Sequence, residues 1–142
     1  MLHLPYKHIK DDDIPNLVEL LQDNKTITKI DLSSNEIGDQ GVKHLCDWLK
    51  TNTIVEALDL SGDRITSIGA AYLADMLKKN TTLTTLKLRG NKIGILGTEY
   101  LMDAQQKRKM PIQLDLNGKK NSITIDLYLQ RKLVKPVIVI DV

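Results

Sequence analysis

Three histidines, one cysteine and a run of three aspartates are the residues here whose types could do acid–base, nucleophilic or metal chemistry. Their spacing argues against all three. His44 and Cys46 lie two apart in a helical pattern, where side chains two positions apart point in different directions and cannot share a metal. His3 and His8 fall on other segments of the chain. Asp11-Asp12-Asp13 lacks the spaced oxygen ligands and the glycine of a calcium loop. Followed by Ile14-Pro15, it suits the first turn of a helix, where free N–H groups favour negative charge. There is no G-x-S-x-G, no phosphate-cradling glycine loop, no H-E-x-x-H and no cysteine pair. The residues predict no enzyme, no metal and no cofactor.

The elements that position these residues repeat. Leu83, Leu86, Leu88, Asn91 and Ile93 recur 28 residues earlier as Val55, Leu58, Leu60, Asp63 and Ile65. Another 28 back they are Ile27, Ile30, Leu32, Asn35 and Ile37, and Leu2, Leu4 and Ile9 carry the register to the start. Each unit then continues with a helical stripe: Val42, Leu45, Cys46 and Leu49, then Ala70, Leu73, Ala74 and Leu77, then Thr98, Leu101 and Met102. Cys46 therefore holds the place of Ala74 and Met102, and is expected to be a small buried hydrophobe. His44, Tyr72 and Tyr100 form a neighbouring row with Trp48 and Met76 one turn on, expected to pack between helices, against the reading of an amphipathic side strip that a partner could use. A fixed period of this length is the signature of a solenoid.

The segments LTTLKLRGNKIGILGTEYL and ITKIDLSSNEIGDQGVKHLCDWLKTN resemble ribonuclease-inhibitor-type leucine-rich repeats. The resemblance implies an α/β horseshoe with a parallel concave sheet and convex helices. About five units are expected in a single domain over 1–142, at approximately 1–25, 26–52, 53–80, 81–110 and 111–142 with a terminal strand. In such repeats the asparagine satisfies backbone groups where strand turns to helix. Here the ladder reads Asn35, Asp63, Asn91. An ionised carboxylate cannot donate as an amide does, so Asp63 is expected to be strained or pH-sensitive. In the first unit, a helix over about Ile14 to Gln22 is expected to set Leu17, Leu20 and Leu21 on one face. The short Lys/Asn/Ile-rich array also resembles leucine-rich-repeat effectors that intracellular bacterial pathogens inject into host cells. That resemblance implies a host protein as partner. RanGAP-type activators use similar repeats, but nothing around Arg64 or Arg89 matches an arginine-finger motif.

Net charge is +2, unevenly spread. Residues 1–75 hold 7 Lys/Arg against 13 Asp/Glu, or −6, and residues 76–142 hold 13 against 5, or +8. In a solenoid, sequence order is spatial order, so one end is acidic and the other basic. No apolar run approaches the length of a membrane span, the start lacks a signal peptide's apolar stretch, and the single cysteine suits a reducing compartment. A cytoplasmic protein is expected, secreted into a host cytosol if the effector resemblance holds.

The expected working surface is the outward strand positions, because a parallel ladder places them in rows on a rigid, preordered face. One row is His3, Asp31, Asp59, Lys87 and Asp115; the next holds Ser33, Ser61 and Arg89; Tyr6 and Lys29 flank them. Mixed charge with little bulk suits a charged protein segment rather than a small apolar ligand. A rival reading has nucleic acid or anionic lipid bound without sequence preference by Lys107, Arg108, Lys109, Lys119, Lys120, Arg131, Lys132 and Lys135. Tyr128 would be its only nearby aromatic. Exposed terminal strands also invite an end-to-end homodimer, or a longer native chain. For the last unit, a helix over about Ile125 to Leu133 and a sixth strand over Val137–Val142 are expected, against a hairpin turning at Asn117-Gly118.

Overall fold

The computed structural model describes residues 1–116. Five short strands, β1 (Leu2–His3), β2 (Lys29–Asp31), β3 (Ala57–Asp59), β4 (Thr85–Lys87) and β5 (Gln113–Asp115), form one parallel sheet in sequence order. Between them lie a 3-10 turn at Asp11–Asp13 and four helices: α1 (Ile14–Leu21), α2 (Asp39–Leu49), α3 (Ser67–Lys79) and α4 (Gly94–Lys107). Pairing follows the sequence period, with Leu2 opposite Ile30, Ile30 opposite Leu58, Leu58 opposite Leu86 and Leu86 opposite Leu114. Each helix packs on the next in order. The expected C-terminal helix, sixth strand and rival hairpin lie outside the described residues.

The core is the seam between sheet and helices. Leu32, Leu60 and Leu88 from the strand side meet Leu45, Leu73 and Leu101 from the helices, all fully buried. At about 1.5–3 kcal/mol per buried aliphatic side chain, these ladders dominate the favourable side of folding. One expectation fails in α1. Leu20 is 80% exposed, whereas Ile14 and Leu21 are buried and Leu17 and Val18 are half-buried. The inward stripe is 14, 17, 18, 21, and Leu20 lies a full 100° around the helix from Leu21.

The asparagine ladder ties neighbouring units together. Asn35 Oδ1 accepts from the N–H groups of Lys7 at 2.9 Å and Ile9 at 3.1 Å, while Nδ2 donates to the carbonyls of Leu4 at 2.9 Å and Leu32 at 2.7 Å. Asn91 likewise accepts from Ile65 N–H and donates to the Leu60 and Leu88 carbonyls. Asp63 keeps half of this. Its Oδ1 accepts from Ile37 N–H at 3.0 Å, but its Oδ2 is buried without a hydrogen-bond partner.

A second ladder runs along the helix-to-strand turns with the same period. Asn24, Asn52 and Asn80 each use Oδ1 to accept from the backbone two and three residues on. Arg108 takes this place in the next unit, donating from its guanidinium to the Leu83 carbonyl at 2.7 Å and the Met110 carbonyl at 3.2 Å. The first of the three aspartates belongs to a third set. Asp11 accepts from Gly38 N–H, and Asp39, one period on, accepts from Thr66 N–H, Thr66 Oγ1–H and Gly69 N–H at the start of α3. Asp39 leaves no room at Gly69, where a Cβ would stand 2.5 Å from the carboxylate.

Candidate partner-binding face

Strand pairing sets His3 beside Asp31, Asp31 beside Asp59, Asp59 beside Lys87 and Lys87 beside Asp115, one residue per strand. All of these side chains are exposed or half-buried. The expected row is therefore a physical row. Its charges are partly paired with one another. His3 Nδ1 contacts Asp31 Oδ2 at 2.8 Å, Lys87 Nζ stands 3.5 Å from Asp59 Oδ2, and Arg89 Nε stands 3.7 Å from Asp115 Oδ1. The first two pairs join opposed residues on adjacent strands, and Arg89 reaches Asp115 diagonally from two residues past β4. Exposed pairs of this kind are worth about 0–1 kcal/mol, so exchanging one for a pair with a partner costs little.

Asp31 is held more firmly than Asp59. Burial by itself would raise its pKa, but the Ser33 hydroxyl at 2.6 Å, the Ser33 N–H at 3.0 Å and His3 outweigh that and hold it below 3.8. Asp59 receives only the Ser61 N–H at 3.0 Å and the loose Lys87 contact. Ser33 and Ser61 therefore act partly through the backbone, as turn donors behind the two aspartates. Lys29 is exposed and forms no ion pair among the described residues. Met1, Lys29, Ala57, Asp59, Thr85 and Lys87 are among the residues lining an open depression on this face.

Tyr6 stands at one rim, 76% exposed and with a φ of 56°. The equivalent positions are Ser34, also at 56°, and then Gly62 and Gly90, where the left-handed backbone carries no side-chain cost. Its neighbour His8 is also left-handed and pairs with Glu36 at 3.1 Å, which Arg64 contacts from the next unit at 2.9 Å. The His8 hydrogen bond leads the effects that hold Glu36 below the usual carboxylate range. Arg64 is thus engaged within a cross-unit chain. Gly62 and Gly90 mark the left-handed position that Tyr6 shares, but nothing in the period marks it for His8, whose equivalents are Glu36, Arg64 and Lys92.

Of the basic residues proposed for nucleic acid or lipid, three lie among those described. Lys107 and Lys109 are exposed. Arg108 is not a free surface cation: two carbonyls hold it and burial lowers its pKa. The helix row resolves as packing for Trp48 and Tyr72, which lie against the core, and for Met76, which is fully buried; His44 and Tyr100 are exposed. No group of three or more His, Cys, Asp or Glu among the described residues is arranged to hold a metal. No described helix is long and apolar enough to cross a membrane.

Cys46 is 1% exposed, and burial pushes its thiol up to about 12. A thiol in that state is neither a nucleophile nor a ligand at neutral pH. It is expected to react with an aromatic disulfide reagent about 100-fold more slowly in the native protein than in urea. Equal rates would place it at the surface.

Residues 23–46 and 79–102 match the family described as Leucine Rich repeat. The two segments begin 56 residues apart, two periods of 28, so they cover equivalent stretches of the repeat. The fold is a leucine-rich-repeat solenoid. Among solved structures it is similar to Leiomodin-1 Actin-Binding Site 2 (ABS2), with a TM-score of 0.77 over 93% of this chain and 79% of that one at 18% identity. A search among curated proteins finds no match. Within the leucine-rich-repeat architecture, the row from His3 to Asp115 occupies the strand face and Tyr6 the loop rim beside it.

Proposed function

We propose that this chain is a non-enzymatic protein-interaction module that captures a partner protein on its strand face, through His3, Tyr6, Lys29, Asp59 and Lys87 with Asp31, Ser33, Ser61, Arg89 and Asp115 around them. The observation that carries this reading is the strand register, which gathers charged residues 28 apart into one mixed-sign row on a rigid sheet. Preordered side chains lose little freedom on binding, and mixed charge rewards one arrangement of a partner over others. That the similar solved structure is an actin-binding site supports a protein as the class of partner. A helix between each two successive described strands supports the ribonuclease-inhibitor type. A host protein as partner, and delivery by a bacterium into a reducing cytosol, rest on sequence resemblance and on the single buried thiol.

The test uses paired charge swaps. Asp59→Lys with Lys87→Asp preserves the internal ion pair while inverting the field of the face. It is expected to reduce capture of the partner from host-cell lysate by about tenfold or more. Lys43→Asp with Asp47→Lys does the same to an exposed pair on α2, 3.4 Å apart, and is expected to leave capture unchanged. Equal capture by both swapped proteins and the parent would remove the strand face from the function. The nucleic-acid and lipid reading predicts instead that all binding disappears at moderate salt.

A further inference from the structure

We propose that the occupant of this face is an α-helix of the partner, laid across the strands, with basic side chains over Asp31 and Asp59 and an acidic side chain over Lys87. The inference rests on the strand face being the binding site and adds the form and charge order of what binds.

Spacing decides the form. Adjacent strands lie about 4.8 Å apart, so the row offers one charge about every 4.8 Å. A helix crossing the strands advances about 5.4 Å per turn, a mismatch of about 0.6 Å per strand that flexible side chains absorb. An extended segment presents same-side residues about every 6.8 Å and falls out of step with the row within two strands. The middle of the row leaves room for a helix. Ala57 and Thr85 flank Asp59 and Lys87 on one side, and Ser33 and Ser61 flank Asp31 and Asp59 on the other, while the long side chains of Lys29, Gln113 and Arg89 stand at the ends of these flanking rows.

Charge decides the order. Asp31 and Asp59 are adjacent like charges, a placement that sheets avoid unless something offsets it. Within the chain Asp31 leans on His3, and Asp59 on a lysine 3.5 Å away. Two cations on successive turns would neutralise both carboxylates. Lys87, 48% exposed, would then take a carboxylate in exchange for Asp59. The partner helix would run with its N-terminus towards β1, which sets the positive end of its dipole by the aspartates and the negative end by Lys87 and Arg89.

Three alanine-rich peptides of about four turns test this with the full chain, by fluorescence anisotropy at low salt. One carries Lys, Lys and Glu on successive turns of one face; the second carries Glu, Glu and Lys; the third has the first peptide's charges with central prolines that break the helix. The first is expected to bind about tenfold more tightly than either other, and the Asp59→Lys, Lys87→Asp protein to lose or reverse the preference between the first two. Equal binding by the first and third peptides, or binding by none, overturns the helix. The face itself is judged separately, by whether the same double swap alters capture from lysate. An extended partner would leave that capture dependent on the swap while the helical peptide shows no advantage.

Discussion

Asp63→Asn is expected to stabilise the protein by about 2–4 kcal/mol at pH 8 and to have little effect at pH 4. The side chain is 7% exposed, and burial pushes its carboxyl from 3.8 up to about 7, with Asp59 and Asp11 adding to the rise and backbone N–H groups of Ile37 and Asn35 opposing it. The geometry explains the direction. At the equivalent places, Asn35 and Asn91 turn an amide NH2 towards two backbone carbonyls, whereas Asp63 buries a bare oxygen there with no partner. A protonated carboxyl restores one donor; an ionised one restores none.

An acid whose folded pKa is raised weakens the fold as pH rises. Below pH 3.8 both states hold the proton and the group is neutral in the balance. Between 3.8 and about 7 the unfolded chain releases it while the folded chain keeps it, so stability falls by up to about 1.4 kcal/mol per pH unit. Above about 7 the loss is complete and constant. Urea midpoints of the parent and Asp63→Asn across pH 4 to 8 should therefore start close together and diverge. Parallel curves would mean that Asp63 finds a donor in solution.

The strands, the ladders and the charged row were legible because a period of 28 fixes which residues become neighbours, and a parallel solenoid turns that period directly into register. Asp31, Asp59 and Lys87 needed nothing more to be placed side by side. What the period does not carry is how neighbours satisfy one another. The Lys87 to Asp59 and His3 to Asp31 pairs depend on side-chain reach, and the engagement of Arg108 depends on a carbonyl, Leu83 O, at the start of the same unit. Leu20 misled because three leucines close together look like one stripe, while the helix angle separates them. The second asparagine ladder was visible at 24, 52 and 80, but its meaning lay in burial: only its third member is almost fully enclosed.

That enclosure makes Asn80→Ala a large loss, of about 3 kcal/mol. Asn80 is 3% exposed and makes four hydrogen bonds. Its Oδ1 accepts from Thr82 N–H at 2.9 Å and Leu83 N–H at 2.8 Å, fixing the turn into β4. Its Nδ2 donates to the Leu49 carbonyl at 2.7 Å, at the end of α2, and to the Asn52 carbonyl at 3.3 Å. Alanine would strand two N–H donors and two carbonyl acceptors together, at about 1 kcal/mol each, with no compensating partner of the same shape. Asn24 binds only its own turn and is half-exposed, so Asn24→Ala should cost about 1 kcal/mol. Asn80→Asp separates the two roles, because it keeps the acceptor and discards the donor that reaches into the preceding unit. As at Asp63, a buried carboxylate oxygen would then face backbone carbonyls, so at pH 8 its cost should match or exceed that of Asn80→Ala and should shrink towards pH 4 if the cross-unit bond to Leu49 matters. In a solenoid each unit is held by its neighbours alone, so the damage should appear as faster amide exchange in β4 and α4 than in β2. Equal urea midpoints for Asn80→Ala and Asn24→Ala would show that the turn, and not the link between units, is what this asparagine supplies.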